Sequence, residues 1–235
     1  MIVFKKIVCV LIIAPFLALC SGCASYRFGR LPSPYINDHP APISQKDVSV
    51  AVEFLGYTQA DSTFDCELTK RKVTPVFIVI DNRSNAAYGF RKADADSSYL
   101  PAEEVAKKCA RSTMGRLLGY GFLALCPFVW IIFIPLVIAE MINCPTINSR
   151  MKNDYMTNEI ADTTIGPNRS ISGIMFVAPL SSGQLFNVPL VNRETGERLV
   201  FQFQSNQQGA ASVQAPQENK EKVKEKKEPK KNFGP

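Results

Sequence analysis

One uncharged stretch of 23 residues, 117–139, limits what this chain of 235 residues can fold into. Its length is that of a transmembrane helix. Pro127 lies near its middle and Pro135 follows, and each removes a helical hydrogen bond. The stretch therefore predicts an apolar helical hairpin, inserted at residues 114–142, with helices at 114–126 and 128–141 that turn at Pro127.

Three placements of this hairpin are open. It can dip into a membrane leaflet, pack inside the domain or an oligomer, or span the bilayer. Four basic residues precede it, and on an exported chain they would lie outside the cytoplasm. Basic residues next to a membrane span are favoured on the cytoplasmic side, which argues against a span. For the membrane placement, the residues expected to contact lipid are Leu117, Leu118, Phe122, Phe128, Trp130, Phe133 and Leu136.

On both sides of the insertion, the pattern of side chains is that of strands. Residues 48–54 alternate between apolar and polar side chains, and 75–82 form a more continuous apolar run. Residues 171–178, 184–191 and 199–203 predict three more strands, with a hairpin connection at 192–197. A helix is expected to start near residue 101, and a short one at 153–161. The fold class predicted is mainly β, an antiparallel β-sandwich with the helical hairpin inserted.

The N-terminus reads as a secretory signal. Lys5 and Lys6 precede an uncharged apolar run at 7–19, which is too short to span a membrane. Small residues at Ser21 and Gly22, followed by Cys23, resemble the lipobox of bacterial lipoproteins, although Cys20 stands where that family usually has Leu, Val or Ile. The resemblance implies that the chain is cleaved after residue 22. It also implies that Cys23 carries diacylglycerol and a further acyl chain, such as palmitate. Without the resemblance, an ordinary signal peptide would leave Cys23 as a plain cysteine.

The location that this resemblance implies is the cell envelope, with the chain attached by lipid. Ala24 replaces the Asp that often retains such lipoproteins at the inner membrane. We therefore expect the outer membrane, with the domain facing the periplasm.

A second, looser resemblance concerns the strands. Residues 79–84 (VIDNRS) and 165–176 (IGPNRSISGIMF) are similar to an apolar strand followed by Asn-x-Ser, and to the I-x-P-x-x-S-x-x-G-x-x-F pattern, of immunoglobulin-like domains in bacterial lipoproteins. Asn168 stands where that family often has Gly. The resemblance covers about a third of the chain and implies an immunoglobulin-like β-sandwich that binds or scaffolds, with no catalytic residues to transfer.

The two ends of the mature chain differ from the domain in composition. Residues 23–45 carry four prolines and predict an extended tether, so the domain is expected at 46–204. Residues 205–235 predict a disordered tail. Its segment 218–231 holds seven Lys and four Glu, much of the formal net charge of +6. Such a run can meet anionic lipid or other polyanions, but it is more often simply solvated, and we expect no nucleic-acid partner.

Four cysteines follow Cys23, and none has the C-x-x-C spacing of a metal or redox site. Cys109 and Cys144 bracket the apolar insertion, so a hairpin would bring them close enough for a disulfide. Reduced cysteines or another pairing are equally open.

No residue pattern predicts catalysis, a metal site or a cofactor. His39 is the only histidine, and the tether expected around it would not hold it for acid–base chemistry. We therefore expect a non-catalytic envelope scaffold that meets an unidentified envelope protein, and homo-oligomers are possible. The alternative is a carrier or sensor that shelters a lipid or other apolar ligand against the insertion.

Overall fold

The computed structural model describes residues 25–96, 98–112, 130–205 and 212–213, with 130–142 and 212–213 described by backbone alone. Cys23 of the predicted lipobox, the first half of the predicted hairpin and most of the predicted tail lie outside these ranges. The strands are β1 Ile43–Gln45, β2 Val48–Phe54, β3 Thr74–Asn82, β4 Tyr88–Phe90, β5 Tyr99–Leu100, β6 Thr163–Ile165, β7 Arg169–Val177, β8 Leu185–Asn192, β9 Arg198–Gln204 and β10 Ser212–Val213. The α-helices are α1 Tyr57–Phe64, α2 Lys92–Ala95, α3 Ala102–Cys109 and α4 Trp130–Asn158.

The strands form two antiparallel sheets, as predicted. The first has five strands in the order β1-β2-β3-β7-β5. The second has four, in the order β9-β8-β4-β6, with the two residues of β10 added beside β9. All five strands predicted from the sequence are present, and their ends differ from the expected ones by at most two residues. The β8–β9 connection turns at Gly196, whose φ of 73° is in the left-handed region that favours glycine.

The core between the sheets accounts for only half of the buried apolar residues. Val76, Ile78 and Ile80 of β3 face this first cluster. Their neighbours Phe77 and Val79 point to the opposite face, into a second cluster formed with α1, α3 and α4. Because β3 is buried on both faces, its sequence is an uninterrupted apolar run rather than an alternating one. The fold is therefore a sandwich with a helical layer packed on the outer face of its first sheet.

Helix α4 is longer than the sequence predicts. The predicted second hairpin helix ends at Met141 and a separate helix begins at Asn153, but α4 continues without a break from Trp130 to Asn158. The reason lies in its second half, where Met151 and Tyr155 are buried in the second cluster and extend the helix well beyond the apolar insertion. Within the ranges that the structure describes, no helix combines the length and apolar character needed to cross a bilayer.

The prediction of an extended tether is wrong for residues 25–45. Tyr26, Ile36 and His39 are each 6–7% exposed, Ile36–Asp38 forms a 3₁₀ turn, and β1 is part of the first sheet. Gly29 lies so close to α1 that an added Cβ would stand 2.5 Å from the Ser62 carbonyl oxygen. The segment packs on the domain because its few apolar side chains cover the second cluster.

Asn82 explains why the two motifs of the second resemblance belong together. This residue is fully buried at the end of β3. Its amide nitrogen donates to the carbonyls of Ala86 (2.8 Å), Ile165 (3.1 Å) and Gly166 (2.9 Å). Its amide oxygen accepts from the Ser84 hydroxyl at 2.6 Å. The Asn-x-Ser turn is thereby tied to the start of the second motif, in the other sheet.

Candidate functional site

The predicted membrane-contacting residues are only partly within reach of the structure. Leu117, Leu118, Phe122 and Phe128 lie outside the described residues, as does Cys23. Trp130, Phe133 and Leu136 lie in the first two turns of α4, which is described there by its backbone. What the structure does describe is the part of the domain that borders these segments in the sequence.

Three parts of the chain meet at this place. The Arg111 guanidinium donates to the carbonyl oxygen of Ser25 at 2.5 Å. The backbone N–H of Arg111 donates to Asn148 Oδ1 at 2.9 Å, and Asn148 Nδ2 donates back to the Arg111 carbonyl at 3.1 Å. We call the group of Ser25, Asp65, Arg111 and Asn148 the junction. It joins the start of the N-terminal segment, the residues just before the apolar insertion, and the second half of α4, which follows the insertion.

Asp65 is the acidic member of the junction. Its carboxylate accepts from Arg111 Nη2 at 2.9 Å and from the backbone N–H of Arg27 at 3.2 Å. Asp65 ends α1 in the left-handed conformation, with φ of 49°, which turns the chain there and is a conformation that Asp tolerates. The side chains of Arg111 and Asp65 are 21% and 39% exposed. Such a partly solvated pair fixes geometry more than it adds stability.

The disulfide next to the junction corrects the predicted pairing. Cys109, the last residue of α3, is bonded to Cys66, with 6.0 Å between their Cα atoms. The predicted Cys109–Cys144 bridge is therefore wrong, since Cys109 has only one sulfur to share. Cys144 is buried in α4 and takes no part in this disulfide. The loop after α1 returns beneath the end of α3, and this contact was not visible from the spacing of the cysteines.

Aromatic side chains form a rigid base under the junction. The ring centroids of Phe64 and Tyr155 are 5.1 Å apart, and those of Phe64 and Phe176 are 5.3 Å apart. The Tyr155 hydroxyl donates to the Phe64 carbonyl at 3.0 Å. Burial, with Asp65 and Tyr26 adding negative potential when ionised, raises the pKa of Tyr155 well above its ordinary value. This tyrosine stays neutral and acts as a hydrogen-bonded part of the core.

A surface cavity of about 330 Å³ lies beside the disulfide. It is lined by Asp61, Asp65, Cys66, Glu67, Arg71, Cys109 and Arg111. The cavity is lined by both acidic and basic side chains, and two of them, Asp65 and Arg111, already pair with each other. The lining therefore does not favour a ligand of either charge. Across the described part of the chain, no three His, Cys, Asp or Glu side chains are grouped so that they could hold a metal ion.

His39 is held in place rather than carried on a tether. Its Nε2 lies 2.7 Å from the Ser33 carbonyl oxygen, and its Nδ1 lies 3.3 Å from a Glu53 carboxylate oxygen. A nucleophilic triad needs the imidazole to contact a hydroxyl, but here the Ser33 hydroxyl donates to Asp38 instead. His39 and Ile36 fasten the N-terminal segment to the first sheet.

Most of the junction has no local signal in the sequence. Arg111 stood out only as one of the basic residues before the insertion, and its partner Asn148 is 37 positions away. A clearer signal was the spacing of Ile147, Met151 and Tyr155, each four residues apart, which marks one face of a helix. Comparison with known proteins gave no matching family model, no matching curated protein and no matching solved structure.

Proposed function

We propose that the protein is a non-catalytic lipoprotein of the bacterial cell envelope. Lipid on Cys23 holds it at the outer membrane, facing the periplasm, and the apolar insertion is a second attachment to the same membrane. The β-sandwich then serves as a scaffold or interaction module for an envelope partner. Its functional residues are those that fix the domain's orientation, with no catalytic group among them.

The observation that carries this proposal is the junction. Ser25 follows Cys23 by two residues, and a chain reaches at most about 3.6 Å per residue, so the two Cα atoms are within about 7 Å. The apolar insertion follows Arg111 and Ser112 in the sequence, and α4, which continues from it, places Asn148 in contact with Arg111. A lipid on Cys23 and a membrane-embedded insertion would therefore hold the domain from one end.

The Cys66–Cys109 disulfide adds independent support. Disulfides persist in oxidising compartments such as the periplasm and are rare in the cytosol. This one links the α1–β3 connection to the end of α3 and closes a loop of 43 residues. An exported chain is thus the simplest setting for a permanent bridge at this position.

The proposed scaffold role rests on interpreting the sandwich as immunoglobulin-like. In an immunoglobulin domain, strands A, B, E and D form one sheet, and G, F and C form the other. The order β2-β3-β7-β5 beside β9-β8-β4 has the same pattern if strands are assigned in chain order. The sandwich departs from the immunoglobulin pattern in two ways. Strand β5 has only two residues, and β6, which pairs with β4, comes after β5 in the chain. Domains of this architecture commonly recognise other proteins through their loops and edges.

Lipidation is tested first, by mass spectrometry of the N-terminal peptide from full-length protein isolated from bacterial membranes. The expected mass is that of a chain beginning at Cys23 with diacylglycerol and an amide-linked acyl chain. Cys23→Ser should abolish it, whereas Cys20→Ser, a matched cysteine three residues earlier, should retain it. An unmodified Cys23 in the mature protein would refute the lipoprotein proposal.

The second attachment needs a separate experiment, with Cys23→Ser and a short polar loop in place of residues 117–139, singly and together. Membranes are washed with carbonate and probed for the protein. If Cys23→Ser stays bound and only the combined change releases folded protein, the insertion is an anchor. If Cys23→Ser alone is released and folded, the insertion is buried in protein. Lipid that copurifies with this released form would favour the carrier or sensor instead.

A further inference from the structure

Strand β9 has one side that is paired along its whole length and one that is not. On its inner side, all seven residues from Arg198 to Gln204 pair with β8. On its outer side, the strand pairing within the described residues is limited to Gln204 and Phe203, which face Ser212 and Val213 of β10. On this outer side, the remaining five residues of β9 form the edge of the second sheet.

The direction of the backbone groups along β9 follows from a proline. Pro189 of β8 stands opposite Val200, and because proline has no N–H, this pair is of the non-hydrogen-bonded kind. The N–H and C=O of Val200 therefore point to the outer edge. A side-chain contact agrees, since Gln45 Nε2 donates to the Val200 carbonyl at 3.1 Å. Gln202, two residues further on, points the same way.

This edge has few of the features that normally prevent strand addition. Unpaired edges are usually protected by charges, prolines or bulges. The sequence of β9 is Arg-Leu-Val-Phe-Gln-Phe-Gln, so its one charge is at the first residue. Val200 is 36% exposed, and Gln202 is also exposed. A regular, β-prone strand with an open edge is a template for another strand.

We propose that the outer edge of β9 is a strand-addition site and that residues 214–216 of this chain occupy it. The register is set by the pairs that already exist, Ser212 with Gln204 and Val213 with Phe203. Continued in the same antiparallel register, Gln214 stands opposite Gln202, Ala215 opposite Phe201 and Pro216 opposite Val200.

The pattern of apolar and polar side chains supports this register. Phe201 and Phe203 point into the core between the sheets, and Gln202 and Gln204 point outward. Opposite residues on neighbouring strands share a face, so Val213 and Ala215 would lie on the core side, with Ser212 and Gln214 on the solvent side. A shift by one residue would reverse this match and expose the apolar side chains.

Pro216 supplies the second argument. In the proposed register it faces Val200 in a pair that normally exchanges two hydrogen bonds, but a proline can only accept one. The bond it cannot make is the one to the Val200 carbonyl, and Gln45 already donates to that oxygen. The strand would thus end at Pro216 without leaving an unsatisfied group, and the Lys- and Glu-rich run would leave near Arg198.

Amide hydrogen exchange on the full-length protein in detergent micelles tests the proposal. The comparison is with chains ended after Val213 and after Pro216. In the full chain and in the chain ended after Pro216, the amides of Val200 and Gln202 should exchange at least about tenfold more slowly than in the chain ended after Val213. The Phe201 amide, which points to β8, is the internal control and should not change.

Equal exchange of the Val200 and Gln202 amides in all three chains would overturn the proposal. Protection in the full chain that depends on protein concentration, with dimers by light scattering, would also overturn it, because a second copy would then be the occupant. Protection that disappears in Ala215→Lys but persists in Gln214→Lys would support the proposed register, since only Ala215 would face the core.

Discussion

Removing the disulfide gives the most direct check on how the helical layer is held. The double change Cys66→Ala and Cys109→Ala opens a loop of 43 residues in the unfolded chain. The loop-closure relation gives a loss of about 4 kcal/mol in the free energy of unfolding. For a domain of this size, such a loss lowers the melting temperature by about 12 °C. Both residues are replaced together so that no new cysteine pair can form at this site.

The assay is urea unfolding of the purified full-length protein in a mild detergent, followed by circular dichroism. The midpoint should fall, and the free energy extrapolated to water should differ from the wild type by about 4 kcal/mol. Because the bridge ties the end of α3 to the loop after α1, limited proteolysis should also cut the variant near residues 110–112 at lower protease concentration.

Reductant provides the control. Dithiothreitol should lower the stability of the wild type to that of the double variant and should leave the variant itself unchanged. The reasoning would be refuted if the variant kept the wild-type midpoint, or if dithiothreitol destabilised both proteins equally. The second outcome would assign the effect to another cysteine pair.

Three further predictions concern residues outside the disulfide. Asn82→Ala leaves three carbonyls near the end of β3 without their donor and should cost about 3 kcal/mol in unfolding free energy; the isosteric Asn82→Asp, which also lacks the donor, should not rescue it, and a fully stable Asp variant would contradict this account. Gly29→Ala forces a Cβ to 2.5 Å from a backbone oxygen of α1 and should make the N-terminal segment sensitive to trypsin, whereas Gly56→Ala, with nothing within 4 Å, should not; equal sensitivity would argue against close docking. The pKa of Glu103 is lowered mainly by its hydrogen bonds to Lys152 and Lys107. The ionised carboxylate therefore stabilises the folded state above the pKa of Glu103 in the unfolded chain, and this effect is lost as pH falls through its pKa in the folded protein. Lys152→Gln should raise the folded-state pKa of Glu103 in an NMR titration, and an unchanged pKa would exclude the contact.

The sandwich was predictable because its strands carry local patterns. Residues 48–54 alternate, and only one assignment puts every valine on the inner face. The continuous run of β3 was less clear, because alternate residues such as Ile78 and Val79 enter different clusters. A sequence shows that both faces are buried, but it does not show whether a second sheet or a helical layer covers the outer one.

The errors share a physical cause, which is long-range packing. The Pro-rich segment suggested a tether because its composition is polar and broken by prolines, yet Tyr26 and Ile36 are buried against residues far along the chain. The disulfide could not be chosen, because four cysteines allow three pairings. The junction depends on Arg111 and Asn148 meeting across 37 positions, and no local rule indicates such a contact.

The paired hydrogen bonds between Arg111 and Asn148 also bear on how this protein can change in evolution. They hold residues 111 and 148 side by side, so the stability of the sandwich should depend little on the length of the apolar insertion between them. Doubling the length of a flexible loop costs only about 0.6 kcal/mol, which is small beside the stability of a domain. The apolar insertion can therefore change without loss of the fold. We expect homologues to keep the sandwich while exchanging, shortening or losing the insertion.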